Sequence, residues 1–197
     1  MLTTAQLQAL KTALFAETAP ALVGYIANGQ NGLVAEWLNQ TASPTFSVWR
    51  TDARVSSIID AIDLSKYTPN DVVLDGDSGD TLHRKNGRLL TSQTKQMNLQ
   101  LLLQGRDTIN AALVTVRAGL RDAVIAVPTG AGGAATSPGG ASGATVLAAC
   151  VRPATRAEKI LATASQASDT TGTTTARVMG YEGGVTDLDV AAALALP

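Results

Sequence analysis

The sequence predicts a mainly α protein: a small helical bundle with short β segments and a long extended Gly/Ala-rich arm. Three observations carry this expectation. Apolar residues recur at helical spacing near the start of the chain and again between Thr91 and Val124. Thr-x-x-Gln and Thr-x-x-Asp patterns open the first and last of the helical runs. Residues 129–143 (TGAGGAATSPGGASG) then carry too little apolar side chain to offset the entropy of ordering them. The expected organisation is a helical core over residues 1–128, with a loop or hairpin insertion near 68–90. A flexible interface arm follows over 129–143, and a C-terminal helical region and tail over 144–197.

Each element has its own signal. Thr3 and Gln6 have capping-box spacing, and Leu7, Leu10 and Leu14 follow at helical intervals. Pro20 suits the first turn of a second helix that turns Leu22, Val23 and Ile26 inward and stops at Gly29. Asn31 can cap a third, bearing Leu33, Val34, Trp37 and Leu38. Ser43-Pro44 breaks the helical pattern, and Thr45 to Arg50 alternates as a short strand. Val55 to Ile62 reads as helix, and Thr68 to Asp80 as a turn-rich loop. The main helical block starts at Thr91 or Ser92 and pauses at Gly105, a C′ stop or hinge. In the next helix Leu113, Val116, Leu120 and Val124 form one stripe, with the small residues Ala112 and Gly119 beside it, and Pro128 ends it. A further helical region spans about 144–165, kinked or split by Pro153. Arg177 to Tyr181 suits a short strand, and Thr186 with Asp189 caps a final Ala/Leu helix.

Composition narrows the function classes. The 197 residues are 45% hydrophobic but only 4% aromatic, so alanine supplies much of the apolar count and each residue buries little area. Burial against neighbouring chains would compensate. A formal net charge of −1 argues against tight nonspecific duplex binding, which needs a strongly basic surface. The charge is nevertheless segregated. Residues 57–80 carry six aspartates against Lys66, and residues 81–125 carry seven bases against Asp107 and Asp122. Such polarity can orient one subunit against the next. Cys150 is the single cysteine and sits in an apolar run, where it reads as a small hydrophobe. Neither a signal peptide nor a membrane-spanning run is expected.

The motifs that might carry chemistry are incomplete. Gly130-Ala131-Gly132-Gly133 lacks the Lys-Ser/Thr a phosphate loop requires. Asp75 to Asp80 (DGDSGD) lacks the later ligands of a calcium loop and reads as an acidic turn. His83 is the sole histidine, and no serine sits in a nucleophile elbow. The expectation is therefore not an enzyme, with no catalytic residue, cofactor or metal. The cluster His83 to Arg88 is expected at a hairpin tip because Asn86-Gly87 favours a tight turn. Its Arg84, Lys85 and Arg88 would then meet a phosphate or an acidic neighbour. Arg156, Glu158 and Lys159 read as a charged helix surface, and Trp37 and Trp49 as core or helix-packing residues. Either of them, if exposed, would be the best interface anchor. The candidate interface set is Trp49, Arg84, Lys85, Arg88, Gly130, Gly132, Gly133, Pro138, Arg156 and Lys159.

Five segments together carry a resemblance. They are LTTAQLQALK from Leu2, SPTFSVWRTD from Ser43, the stretch Thr94 to Gly133, RPATRAEKILATA from Arg152, and YEGGVTDLDVAAALAL from Tyr181. The chain resembles a family of tailed-phage and prophage structural proteins from the head–tail morphogenesis region. The DGDSGD loop and the Gly/Ala-rich segment are local departures. The resemblance implies a virion protein at the head–tail junction, assembled in the host cytoplasm. Specifically it implies a head–tail adaptor, also called a connector or neck protein. Such a subunit forms a homo-oligomeric ring, commonly twelvefold, that binds the portal protein and receives tail or nozzle proteins. Transient contact with passing DNA is compatible with this, and no membrane is involved. The alternatives are a tail completion, terminator or tail-tube-associated protein, and a DNA- or capsid-binding accessory module. Under the adaptor reading, deleting 129–143 would impair assembly and leave the helical content nearly intact.

Overall fold

The computed structural model describes residues 2–69, 73–74, 76–130, 134–162 and 176–197. Among these the chain is mainly α, with nine α-helices and a few short strand pairs. The described residues group into two compact units. The first comprises 2–48, 152–162 and 176–197, and the second comprises 49–151. This differs from the expected division at 128 and 143. The first unit is discontinuous because its N-terminal helices pack on the C-terminal helix, a long-range pairing that no local signal announces.

In the first unit, α1 (Thr4–Ala16) opens with the expected capping box. Gln6 N–H donates to the Thr3 hydroxyl, and Thr3 N–H donates to the Gln6 side chain at 2.9 Å. α2 (Pro20–Ala27) starts on its proline and ends before Gly29, whose φ of +66° suits glycine. α3 (Asn31–Asn39) is preceded by Gln30 as N-cap with no side-chain bond, so Asn31 is not the cap. α8 (Arg156–Ile160) and α9 (Asp187–Leu194) complete the unit, each behind its own capping box, Thr155 with Glu158 and Thr186 with Asp189. Leu10, Leu14, Leu22, Val34, Leu38, Ala157, Val190 and Ala193 form the shared core. Asn39 holds the approach to α9 as a second backbone would, donating to the Val185 carbonyl at 2.9 Å and accepting from Val185 N–H at 2.8 Å. The strand expected at 177–181 reduces to a single bridge between Arg177 and Val48.

An ion pair with a buried carboxylate and a half-buried guanidinium ties this unit's C-terminal pieces together. Arg152 meets Glu158 with two parallel bonds of 2.7 and 2.8 Å, while Thr155 and Gly183 N–H groups donate to the same carboxylate. Burial alone would raise the Glu158 carboxyl. The Arg152 fork and the two amides outweigh it and hold the group below the ordinary carboxylate range. Glu158 is only 2% exposed, which corrects its reading as a solvent-facing charge.

The second unit starts at the end of β1 (Ser47–Trp49). β2 (Ala53–Arg54) pairs antiparallel with β3 (Thr108–Ile109), Ala53 opposite Ile109. α4 (Val55–Asp60) follows β2, and a 3-10 turn spans Leu64–Tyr67. α5 (Gly79–Leu103) and α6 (Val114–Val124) form its main helix pair. Gly119 faces Leu102 across this pair, but a β-carbon there would sit 3.7 Å from Leu102 Cδ1, an ordinary contact, so the glycine does not set the helix spacing. Tyr67 is buried against α6 and donates its hydroxyl to the Ala123 carbonyl at 2.8 Å, while the Ser92 hydroxyl of α5 donates to the Tyr67 carbonyl.

Several expectations for this unit need correction. α5 starts at Gly79, twelve residues before Thr91, and runs straight through Asn86-Gly87, so the expected hairpin is absent. A tight-turn dipeptide makes a hairpin only between strands. Here both flanks are helical, Asp80 sits in the helix's positive first turn, and Lys85 ties the start to Asp77 at 2.6 Å. The roughly 1 kcal/mol that Gly87 costs is outweighed by that anchoring and by packing further along. The expected stop at Gly105 holds, with φ +70° just past the Gln104 C-cap. α6 ends at Val124, short of Pro128. On its stripe Leu120 and Val124 are buried, but Leu113 is exposed and Arg117 takes its place inside.

The extended arm is also corrected. β4 (Val127–Pro128) pairs antiparallel with β5 (Ala135–Thr136), which turns the chain back onto the unit. Pro138 and Gly139 are buried. Gly139 N–H donates to the Val124 carbonyl at 3.1 Å, and Thr145 N–H donates to the Gly139 carbonyl at 3.0 Å. The low content of large side chains is what lets this segment lie against α6. A β-carbon on Gly139 would fall 2.4 Å from Val124 Cγ2. α7 (Ala144–Ala149) then leads to β6 (Val151–Pro153), which pairs with β1, so the expected helix over 144–165 is split at Pro153.

Candidate functional site

The candidate residues do not form one site. Trp49 is fully buried, with the Arg117 guanidinium 4.6 Å from its ring centre. Arg117 is 4% exposed and donates Nη1 to the carbonyls of Ala111 and Ala112 at 2.7 and 2.8 Å. Trp49 is therefore a core residue rather than an interface anchor. Pro138 is likewise buried, and its carbonyl accepts from Asp63 N–H at 2.9 Å, so it is not presented to a partner. Gly130 has open space around it, while Gly132 and Gly133 lie outside the described residues.

The basic cluster lies along the first half of α5, not on a hairpin tip. Arg84 is exposed, and Arg88 is half-buried. Lys85 is committed to Asp77. That carboxyl sits below the ordinary range, first because Leu74 N–H donates to it and next because of Lys85. Lys95 reaches Asp122 of α6 at 3.4 Å. The block thus spends part of its positive charge holding α5 in place.

Further along α5 the surface changes character. Leu90, Met97 and Leu101 fall at i, i+7 and i+11 and are 65%, 59% and 66% exposed. Three large apolar side chains therefore stand in line on the longest helix with nothing in the described chain over them. Roughly a third of a turn away, the same helix walls a cleft of about 400 Å³. Its floor is Val55, Tyr67, Leu99 and Leu103, and Gln96, Gln100 and Gln104 stand along it at helical spacing. Ile59 and Leu64 complete it from the opposite side, both largely exposed. The apolar run around Met97 to Leu103 was visible in the sequence. Which of its residues stay outside was not, because that depends on where α4, the 3-10 turn and α6 pack.

In the first unit, Arg156 and Lys159 of α8 come together beside Trp37. The Arg156 guanidinium stacks 4.1 Å from the Trp37 ring centre and donates Nη1 to the Trp37 carbonyl at 3.1 Å and to Gln40 Oε1 at 2.9 Å. Both residues line one pocket with Glu17, Ser43 and Ile160. Trp37 is thus the tryptophan that reaches the surface, the reverse of the expectation that singled out Trp49.

Among the described residues no group of three His, Cys, Asp or Glu side chains gathers as a metal site, and no helix is long and apolar enough to cross a membrane. Burial pushes the Cys150 thiol up to about 11 despite the nearby Arg117 and Arg50 charges, so it is a poor nucleophile at neutral pH. No protein-family model matches the chain, and neither a curated protein nor a solved structure matches it.

Proposed function

We propose that this chain is a structural head–tail adaptor of a tailed-phage or prophage virion. In this reading identical subunits form a ring between portal and tail and surround the DNA passage. The observation that carries the reading is the exposed stripe Leu90, Met97 and Leu101 on α5. An aligned apolar face of this kind marks a protein contact, because a monomer gains nothing by keeping it in water. The resemblance of the five sequence segments supplies the kind of assembly. A formal net charge of −1 suits a passage through which DNA slides without being held.

The test is the mass of the purified chain by light scattering and native mass spectrometry, with and without the portal ring of the same virus. A stoichiometric ring on the portal is the expected result. Met97→Lys and Leu101→Lys should abolish assembly and leave monomer stability within about 0.5 kcal/mol, since both side chains are mostly in solvent. A chain that ignores the portal and caps tail tubes supports the tail-completion reading instead. Salt-sensitive DNA binding that is lost with Arg84→Ser and Arg88→Ser, without rings, supports the accessory-module reading.

A further inference from the structure

We propose that the pocket beside Trp37 in the first unit is a receptor for a carboxylate side chain on a peptide segment, gripped by Arg156 and Lys159. The pocket holds about 430 Å³. Stacking on Trp37 and the two Nη1 bonds fix the plane of the Arg156 guanidinium. Its Nε and Nη2 atoms make no hydrogen bond among the described residues, so one edge of a rigid donor fork is left open. Lys159 has one contact, a 3.4 Å approach of Nζ to the Pro44 carbonyl. Neither cation meets a carboxylate within the described chain, and Glu17 lines the same pocket without pairing to either. Arg50, Lys66, Lys85, Lys95 and Arg152 all do meet one. Two half-buried cations left unpaired in one concavity mark a site for an anion.

The geometry selects the kind of anion. A planar fork with a free edge accepts a two-oxygen group, carboxylate or phosphate, through parallel bonds. Apart from Glu17 and Ser43 the remaining walls are apolar, namely the Trp37 ring, Ala19 and Ile160, and they suit an aliphatic side chain next to the acid. Glu17 at the same pocket repels a polyanion, and a concave pocket of this volume takes a side chain where a duplex would need an open basic face. The ligand class is therefore a protein segment with an Asp or Glu beside an apolar residue. This does not rest on the ring reading, because it concerns the chemistry of one pocket whatever the assembly.

The experiment titrates the full-length 15N-labelled chain with the peptide Ac-Leu-Glu-Leu-NH2 and follows the Trp37 indole and Arg156 Nε–H signals. The expected result is a saturable shift of both signals at millimolar peptide. Ac-Leu-Gln-Leu-NH2 should give none. Lys159→Gln should weaken binding about tenfold, the loss of one charge-assisted bond, with the remaining spectrum unchanged. Arg156→Lys should lose binding while keeping the charge, because the fork is gone. Absence of saturation, equal response to the two peptides, or full affinity in Lys159→Gln would each overturn the proposal. So would inorganic phosphate saturating the site when the Glu peptide does not, which would reassign it to phosphate.

Discussion

Gly139→Ala tests whether the small-residue segment after β5 is part of the second unit's core. A methyl group there would lie 2.4 Å from Val124 Cγ2, 2.8 Å from Val124 Cβ and 2.9 Å from Val146 Cγ2. Carbon atoms prefer separations of about 3.5–4.0 Å, so relief needs a shift of roughly 1 Å. Neither side can yield cheaply. Val124 and Val146 are fully buried. Gly139 itself is held by the bonds to Val124 and Thr145, each with a net value of about 1 kcal/mol. Overpacking of this kind costs about 1–3 kcal/mol, and the double constraint places this case near 3. Urea unfolding followed by circular dichroism and by tryptophan fluorescence reads it directly. Gly130→Ala, in open space and in the same low-complexity stretch, is the control and should be neutral. In the Val124→Ala background the Gly139→Ala cost should fall by about 1 kcal/mol or more, because the closest clashing atom is gone. A cost under about 0.5 kcal/mol for Gly139→Ala would refute the packing argument and restore the segment to a free arm. The same reasoning reverses the expectation for deleting 129–143, which should now lower the helical content.

Two further outcomes follow from buried groups. The Glu158 carboxyl lies below its ordinary range, so its stabilisation is fully present above that range and is lost as pH falls through the folded-state value. Acid titration should show this loss below about pH 4.5, and Glu158→Gln should reduce the acid-dependent loss and cost about 2 kcal/mol at neutral pH. Cys150 is buried and its thiol titrates at about 11, so a thiol reagent at pH 7.5 should label it only as the second unit opens. Labelling at the rate of a free thiol would contradict its position.

Much of the local structure was legible because it is set by neighbours in sequence. Thr3 with Gln6, Pro20, Gly29, Gly105 and Thr186 with Asp189 all act where their chemistry placed them. The Thr155–Glu158 box is equally readable, but the charges of Arg156, Glu158 and Lys159 read as one solvated surface. The failures come from contacts distant in sequence. Asn86-Gly87 prefers a turn, and Lys85 with Asp77 and the burial of Ser92, Leu99 and Leu103 override it. Arg117 on α6 reads as a surface charge, yet it is buried because Trp49 and two carbonyls accommodate it. Segment 129–143 reads as an arm, yet its stretch 134–143 packs, because composition reports how much surface a stretch can bury, not how closely it lets neighbours approach. At the candidate site, sequence named Arg156 and Lys159 but could not bring them to Trp37, since α3 and α8 lie more than a hundred residues apart.

The division of the chain also sets an order of events during synthesis. Among the described residues the second unit is contiguous over 49–151, so the contacts they make with one another are available once that stretch has left the ribosome. The first unit is not. α1 and α3 pack on α9, whose residues are made long after theirs, and closing that separation costs chain entropy that only the finished core repays. Until then Leu10, Leu14 and Leu38 lack the Val190 and Ala193 side chains that complete their cluster. α1 to α3 are thus translated before α9 but settle only with it, and the first unit presents a finished surface only after α9 has left the ribosome.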